Sequence, residues 1–438
     1  MEEKRKDYRY GVALYVIILI SIMTAGAQFF GYMEAELLNT YIDHVLNLDL
    51  IFVGIMVASS ATMGLIFLFV FGVISDNTRS KYGRRAPFLL IGGIGSGIGM
   101  ILFGFSPNYF WCYVLDVIVI GIASNCFYAA SRILVADLIE QEYRGRVNSL
   151  VSILSAIGII APVLLTLLAN EIYTVPNPDP LETGNILTQE GHILLLSIGG
   201  ISIIICGVIG FLFIRDNLSI SELPPKKKFR EELKTTFNIE ELKNQKEFFK
   251  LIIAMTIFMS GVSAMLSFLF NFIFSLGVKT AELIQMFALA APILIVTIII
   301  LGLATDRIGR KPLIIPTIII SSIGFFMVPL LTAAPVLDLN LMGIALGLIL
   351  VGLLGVLVPM NTWSQDLLPE GRKGQFFGIF NIVNTVSQVI GVLTASIVIT
   401  ALEGQIANPL SAVFIVSPIF FIISIPFFLK IKETLPSK

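Results

Sequence analysis

The chain contains many runs of apolar residues that are each long enough to cross a lipid bilayer. A transmembrane helix needs about 20 consecutive, mostly apolar residues, and runs of this kind follow one another along nearly all of the 438 residues. Only 13% of the residues are charged, against about 25% in a typical soluble domain. The runs do not alternate polar and apolar residues as the strands of a membrane barrel do. The sequence therefore predicts an all-α integral membrane protein.

Twelve apolar segments are found with a window of about 20 residues. They cover roughly residues 11–38, 51–74, 87–105, 110–136, 148–169, 193–214, 250–271, 283–304, 313–332, 341–365, 376–400 and 409–429. The longest hydrophilic stretch lies between the sixth and seventh segments and contains the run PPKKKFREELK. We expect an amino-terminal six-helix bundle over residues 1–214, a solvated basic linker over residues 215–249, and a carboxyl-terminal six-helix bundle over residues 250–438.

The basic residues are distributed unevenly across this arrangement. Of the 29 Lys and Arg residues, only Lys279 and Arg132 do not fall on the side that also holds both termini. Cytoplasmic loops of membrane proteins carry an excess of Lys and Arg, so we expect both termini in the cytoplasm and a multi-pass protein of the cell (plasma) membrane. The first apolar segment lacks a small-residue cleavage site and is read as a span rather than a signal peptide.

Two charged stretches indicate an internal duplication. GVISDNTRSKYGRRAPF at residues 72–88 and GLATDRIGRKPL at residues 302–313 share a Gly-x-x-x-Asp opening and a Gly-Arg-(Arg/Lys) close. A second pair of acids, Asp137 and Asp366, is separated by almost the same offset. The sequence therefore predicts twelve transmembrane helices in two six-helix pseudo-repeats, and parallel repeats with a substrate path between them are typical of transporters.

Over essentially its whole length the chain resembles the major facilitator superfamily. GLATDRIGRKP is similar to the signature loop of that family between spans eight and nine, and the first copy carries four extra residues between its Asp and its Gly-Arg-Arg. That longer form resembles the branch of sucrose and other glycoside–cation symporters. GAQFFGYMEAELLNTY in span one and ASRILVADL in span four are similar to motifs of sucrose transporters. The resemblance implies the major facilitator fold and secondary active transport by alternating access.

Span four departs from the pattern of the sucrose transporters. These proteins carry an acid eleven residues before the arginine, and counting back from Arg132 leads to Gly121. The nearest acid, Asp116, is five residues further out and would lie on a different face of a regular α-helix. A role of span four in proton coupling is therefore left open.

The two signature loops are predicted to form charge clusters on the cytoplasmic side. In the family that the chain resembles, such clusters brace this side when the transporter opens outward. Ion pairs at a wet surface contribute only about 0–1 kcal/mol each, so they can be made in one state and broken in another. The alternative is that the basic loops only fix the orientation in the membrane. The candidate latch residues are Asp76, Arg84, Arg85 and Asp137 in the first half, and Asp306, Arg310 and Asp366 in the second.

Acids in the apolar spans are candidates for binding a coupling ion. A charge at mid-span costs about 2.5–3.5 kcal/mol, so each one indicates a function or an interfacial position. Glu36 shares a helical face with Gln28 and Tyr32, whereas Glu34 lies about 200° away around the helix. The shared face favours Glu36, and the alignment to sugar transporters favours Glu34. Both acids and Asp116 are candidate ion-coupling sites, with a position at the outer interface as the alternative.

Amide, hydroxyl and aromatic side chains at helical spacing are candidates for binding a substrate. Amides can hydrogen-bond a polyol and an aromatic ring can stack on the apolar face of a sugar, so these residue types suit a neutral polar substrate. Hydrogen bonding between helices, and snorkelling in the case of Arg132, are the alternatives. The candidates are Gln28, Tyr32, Asn125, Tyr128, Arg132, Asn271, Asn361, Trp363, Gln365, Asn381, Asn384 and Gln388.

Other classes of function lack support in the sequence. No Gly-x-x-x-x-Gly-Lys-(Ser/Thr) motif is present, and GGIGSGIG at residues 92–99 has the small-xxx-small spacing of packed helices. His44 and His192 are read as isolated in polar loops, so we expect no metal and no cofactor. The sequence shows no cluster of a nucleophile and a base of the kind that would indicate an enzyme. A net charge of −1 gives no reason to expect a nucleic-acid partner.

The sequence thus predicts a proton- or cation-coupled symporter of a sugar or glycoside. Its expected partners are a small-molecule substrate, the coupling cation and the lipid bilayer, and the protein is expected to be a monomer. A proton-antiporting exporter of small amphipathic compounds is the first alternative. A non-transporting membrane sensor is the second.

Overall fold

The computed structural model describes most of the chain. The described ranges are residues 14–139, 144–177, 185–214, 246–308, 311–367, 373–406 and 408–433. Most of the predicted linker, residues 215–245, lies outside them. Arg310 of the predicted latch lies outside them as well.

The described residues form α-helices joined by short connections. In the first half these are α1 (Leu14–His44), α2 (Leu50–Asn77), α3 (Ala86–Phe103), α4 (Tyr109–Tyr113), a π-helix (Val114–Ile120), α5 (Gly121–Ser131), α6 (Leu134–Leu138), α7 (Arg144–Ile172) and α8 (Gln189–Phe213). In the second half they are α9 (Lys246–Leu266), α10 (Leu269–Ser275), α11 (Thr280–Ile308), α12 (Lys311–Thr332), α13 (Leu339–Asp366), α14 (Lys373–Leu402), a 3-10 turn (Pro409–Ala412) and α15 (Val413–Leu429). Between α7 and α8, strands β1 (Thr174–Pro176) and β2 (Asn185–Leu187) pair in a two-stranded sheet.

Eleven helical segments in the described ranges are long and apolar enough to cross a membrane. They follow the order of the predicted spans, and α7, whose apolar part Ile157–Ile172 is shorter, stands where span five is expected. The prediction of an all-α membrane protein is therefore confirmed, and nothing in the described ranges conflicts with twelve helices.

Several spans begin at a side chain that caps the first turn. The Asn108 side chain accepts a hydrogen bond from the backbone N–H of Trp111 before α4, and the Thr188 side chain accepts one from Gly191 before α8. Asp338 does the same for two N–H groups before α13. Such caps satisfy backbone donors that the first turn of a helix leaves without a partner.

The chain divides into two compact units. Unit 1 comprises residues 1–48, 59–174 and 187–232, and unit 2 comprises residues 49–58, 175–186 and 233–438. The predicted bundle limits at residues 214 and 250 lie at or next to the undescribed segment, so they stay a prediction.

Glycines allow close packing of α3 in unit 1. A methyl group added to Gly93 would lie 2.8 Å from Gly207 Cα in α8, and one added to Gly92 would lie 2.5 Å from the backbone nitrogen of Phe127 in α5. The reading of GGIGSGIG as a helix-packing segment is therefore confirmed. In unit 2 the core is aromatic instead, and the rings of Phe258 and Phe421 stack with their centroids 4.5 Å apart.

Candidate functional site

Span four contains a π-helical segment. The backbone N–H of Gly121 donates to the carbonyl of Asp116, five residues earlier, and to that of Ile118, three residues earlier. In a regular α-helix, five residues correspond to about 140° around the axis. The wider π turn takes up one extra residue, so the angle between Asp116 and Gly121 falls to about 40°. The interpretation that Asp116 faces away from the Gly121 position is therefore wrong.

Asp116 is buried among polar groups of three spans. Only 4% of its surface is exposed. The Ser60 hydroxyl of α2 donates to its Oδ1 at 3.4 Å, and the Glu34 carboxyl of α1 lies within electrostatic range. Tyr109 and Cys112 of α4 lie within electrostatic range of the Asp116 carboxyl as well. Acids of spans one and four thus lie within electrostatic range of each other in unit 1.

The two glutamates of span one have different surroundings. Glu34 is half-buried and interacts with Asp116 and Tyr128. Glu36 is buried and interacts with the Tyr32 hydroxyl. The separation of the two carboxyls around the helix follows the sequence prediction, and Glu34 is the one that joins the acid of span four.

The polar face of α5 continues from this acid pair. The Tyr128 hydroxyl donates to the carbonyl of Ala27 in α1 at 3.2 Å. The Arg132 guanidinium lies 5.3 Å from the centroid of the Tyr128 ring, which is cation–π distance, and its side chain is exposed. Asn125 donates to the backbone of its own helix at 2.8 Å. A row of polar side chains therefore leads from Asp116 along one face.

The other candidate substrate residues have varied surroundings. On the surface of unit 1, Gln28 is exposed and Tyr32 is half-buried. In unit 2, Asn384 is exposed, Gln388 is half-buried and Asn271 is 1% exposed. The candidates whose side chains lie outside the described parts of the chain are Asn361, Gln365 and Asn381.

Trp363 of α13 is fully buried. Its indole N–H donates to the carbonyl of Lys432 at 3.2 Å. Neither face of the ring is open to a solute in this arrangement, so the predicted stacking on a sugar does not fit the structure. We leave Trp363 out of the substrate site.

The first signature loop carries an ion pair between a buried arginine and a partly exposed aspartate. Arg85 Nη2 lies 2.6 Å from Asp76 Oδ1, and Arg85 is 3% exposed. Its second terminal nitrogen donates to the Ser75 hydroxyl. Arg84 is buried as well. The pairing of Arg85 with Asp76 agrees with one of the two pairings that the sequence predicted. The side chain of Asp137 lies outside the described parts of the chain, and the latch role stays a prediction.

The second signature loop contacts the carboxyl-terminal segment. The backbone N–H of Lys311 donates to Glu433 Oε2 at 2.9 Å, and its ammonium donates to the carbonyl of Ile431 at 3.3 Å. Glu247 of α9 accepts the N–H of Lys432 at 2.7 Å. We call residues 430–433 the strap. The side chains of Asp306 and Asp366 lie outside the described parts of the chain.

The two histidines pack together at one end of unit 1. The rings of His44 and His192 have centroids 6.1 Å apart. His192 Nε2 lies 3.0 Å from the Thr40 hydroxyl, and His44 Nδ1 accepts the N–H of Leu187 at 3.1 Å. The interpretation of the histidines as isolated in polar loops is therefore wrong. The described residues contain no group of three or more His, Cys, Asp or Glu side chains placed to hold a metal ion.

Comparison with known proteins gives the family. Residues 17–392 and 293–438 match the family model of the Major Facilitator Superfamily. The chain belongs to the major facilitator superfamily. Members of this superfamily are membrane transporters rather than enzymes, and they bind small-molecule substrates, often together with a coupled cation. The protein is thus a multi-pass membrane transporter.

Two plant proteins are similar to part of this major facilitator chain. It is 27% identical to the sucrose transport protein SUC3 of Arabidopsis thaliana over 167 residues, which are 33% of the chain and 28% of that protein. It is 26% identical to the sucrose transport protein SUT4 of Oryza sativa subsp. indica over 163 residues, which are 32% of the chain and 27% of that protein. The matched segments thus span less than a third of each relative.

Solved structures share the fold at low sequence identity. A bacterial homologue of the human lysosomal transporter Spinster has a TM-score of 0.71 and 15% identity, with 94% of this chain and 95% of that chain covered. The xylose transporter XylE from E. coli has a TM-score of 0.61 and 16% identity, with 96% and 99% covered. These likenesses confirm the major facilitator fold.

Proposed function

We propose that the protein is a proton-coupled symporter of a sugar or glycoside that works by alternating access. The observation that carries the proposal is the buried carboxyl of Asp116 in span four, which accepts a hydrogen bond from Ser60 and lies within electrostatic range of Glu34 of span one. The partial similarity to sucrose transport proteins supports the substrate class. The distribution of basic residues supports a plasma-membrane location with both termini in the cytoplasm.

The acid pair supplies a site for one proton. Two carboxylates close together and away from water repel each other, and the pair is stabilised when it shares a proton. Arg132, on the same face of span four, adds a positive charge next to Tyr128. A pair that gains a proton on one side of the membrane and releases it on the other ties proton movement to the conformational cycle.

The substrate is expected to contact amide and hydroxyl side chains. Gln28 and Tyr32 offer an amide and a hydroxyl in unit 1, and Asn384 and Gln388 offer two amides in unit 2. Sugar hydroxyls both donate and accept hydrogen bonds, as these amides do. Alternating access requires a substrate whose affinity depends on the conformational state.

The ion pair of the first signature loop fits a latch in this cycle. A single Arg–Asp pair that is partly open to water contributes little free energy, so it can be broken and re-formed during each turnover. In the second half, Lys311 of the corresponding loop is bound to the strap. We propose that both arrangements stabilise one end state of the transporter.

Uptake into proteoliposomes tests the proposed function. The purified chain is reconstituted and offered a panel of mono- and disaccharides and glycosides, with an imposed pH gradient, an imposed sodium gradient or neither. We expect at least one sugar to accumulate against its concentration gradient only when the pH gradient drives protons inward. Accumulation of no sugar contradicts the proposal, and efflux of an amphipathic dye in exchange for protons supports the exporter instead.

A further inference from the structure

The acid of span four lies in an uncommon type of helix. The π-helix at Val114–Ile120 is seven residues long, with regular α-helix on both sides. π turns are rare, and they are frequently found at functional sites. Asp116 is the acid inside this one, which raises the question of what the turn does for its carboxyl group.

The π turn changes which residues share a face with Asp116. With the wider turn, Asp116 stands about 40° from the face of Gly121, where a regular helix would place it about 140° away. Asn125, Tyr128 and Arg132 follow Gly121 at helical spacing, so Asp116 heads their row. The turn therefore brings the carboxyl to the face of span four that carries Asn125, Tyr128 and Arg132.

Gly121 accommodates the turn at its inner end. Its N–H bonds to the Asp116 carbonyl, and a Cβ atom at position 121 would lie 3.3 Å from that same oxygen. A side chain there would press on the carbonyl that closes the π turn. Glycine removes this contact.

Ser60 fixes the carboxyl from the neighbouring span. Its hydroxyl donates to Asp116 Oδ1 at 3.4 Å, a long hydrogen bond between α2 and the π turn. A carboxyl group that is 4% exposed depends on such partners for its orientation. Ser60 and the π turn thus act on the same group from two sides.

We propose that the π turn and Ser60 are positioning elements that hold the Asp116 carboxyl on the face of span four that carries Asn125, Tyr128 and Arg132, so that this face keeps a proton-binding group although residue 121 is a glycine. The inference rests on the proposed proton coupling, which it deepens by naming what places the acid. Ser60 and Gly121 act through Asp116 and carry no proton themselves.

Infrared spectroscopy tests the position of the carboxyl without any transport substrate. Difference spectra between high and low pH are recorded for the purified protein in lipid, and the C=O band of protonated Asp116 is identified by its loss in Asp116→Asn. We expect Ser60→Ala to move this band to higher frequency, because the carbonyl loses a hydrogen bond. The neighbouring Ser59→Ala is the matched control and should leave it in place.

Transport of the same variants supplies the second readout. Ser60→Ala should lower the proton-driven accumulation ratio several-fold while sugar exchange continues, and Ser59→Ala should not. Deletion of Ile118, whose side chain is 44% exposed, returns the segment to α-helical register. That deletion should abolish accumulation and shift the Asp116 band.

The outcomes separate the two proposals. An Asp116 band that is unchanged in Ser60→Ala and in the Ile118 deletion overturns the positioning inference, as does the absence of any band that Asp116→Asn removes. A band that shifts as expected in a protein that accumulates no sugar supports the positioning inference and contradicts the proposed function.

Discussion

The two signature loops share a motif but have different partners. In unit 1, Arg85 pairs with the side chain of Asp76, which stands nine residues earlier in the same loop. In unit 2, Lys311 and Glu247 bind the backbone and the Glu433 side chain of the strap. Among the described residues, the first copy of the loop thus carries an ion pair within the loop, and the second copy contacts a segment far away in the chain.

The two units also differ at membrane depth. Unit 1 holds two acids within electrostatic range of each other, the buried Asp116 and the half-buried Glu34, and the described spans of unit 2 offer amides such as Asn384 and Gln388. An acid can gain and lose a proton, whereas an amide can only donate and accept hydrogen bonds. The difference supports the proposal that the coupling ion binds in unit 1.

The largest effect is expected when the acid pair of unit 1 is removed. Asp116→Asn or Glu34→Gln should abolish uphill sugar accumulation but keep exchange of labelled for unlabelled sugar, because exchange needs no net proton movement. Glu36→Gln, on the other face of α1, should retain most of the accumulation. Uptake and counterflow in proteoliposomes check this, and normal accumulation in both pair variants contradicts the assignment to unit 1.

A smaller effect is expected at the first signature loop. Asp76→Asn should slow the maximal transport rate about fivefold, since a pair of this kind contributes about 1 kcal/mol, and it should leave KM nearly unchanged. Arg79→Gln is the control in the same loop, because the described bonds of its guanidinium are to backbone carbonyls. Initial uptake rates over a range of sugar concentrations give both constants, and an unchanged rate for Asp76→Asn removes the latch.

The strap should affect stability more than transport. Trp363→Phe removes the hydrogen bond to the Lys432 carbonyl and is expected to lower the free energy of unfolding by about 1 kcal/mol. Trp111→Phe, at an exposed position, is the control. Thermal unfolding of the detergent-solubilised variants measures the difference, and equal Tm values for the two substitutions contradict a stabilising strap.

The smallest effect is expected at the paired histidines. His44→Asn places an amide oxygen where Nδ1 accepts the N–H of Leu187, whereas His44→Phe leaves that donor without its partner. We expect faster hydrogen exchange at residues 185–187 in the Phe variant only, by about fivefold for a bond that contributes about 1 kcal/mol. Equal exchange in both variants contradicts a structural role for the bond.

Features set by local composition could be predicted from the sequence. Apolar length fixes the spans, and the spacing of Gly93 and Gly97 indicates the packing of α3. The pairing of Asp76 with an arginine of its own loop follows from their short separation.

Features set by contacts between distant segments could not be predicted from the sequence. The π turn depends on packing around Asp116 and Gly121, and no periodicity in the sequence marks it, although a glycine in place of an expected acid is a signal in retrospect. His44 and His192 come from different helices, and Trp363 was misread because the strap that covers it comes 69 residues later. The role of Ser60 follows only from the position of α2 beside span four.

Proton movement driven by sugar tests the central claim most directly. Proteoliposomes in weakly buffered medium are given sugar without an imposed gradient, and the external pH is followed for the wild type and for Asp116→Asn. The proposed symport predicts alkalinisation of the medium by the wild type and none by the variant, although the variant still exchanges sugar. Sugar entry without a pH change in the wild type, or unaltered alkalinisation by Asp116→Asn, would contradict it.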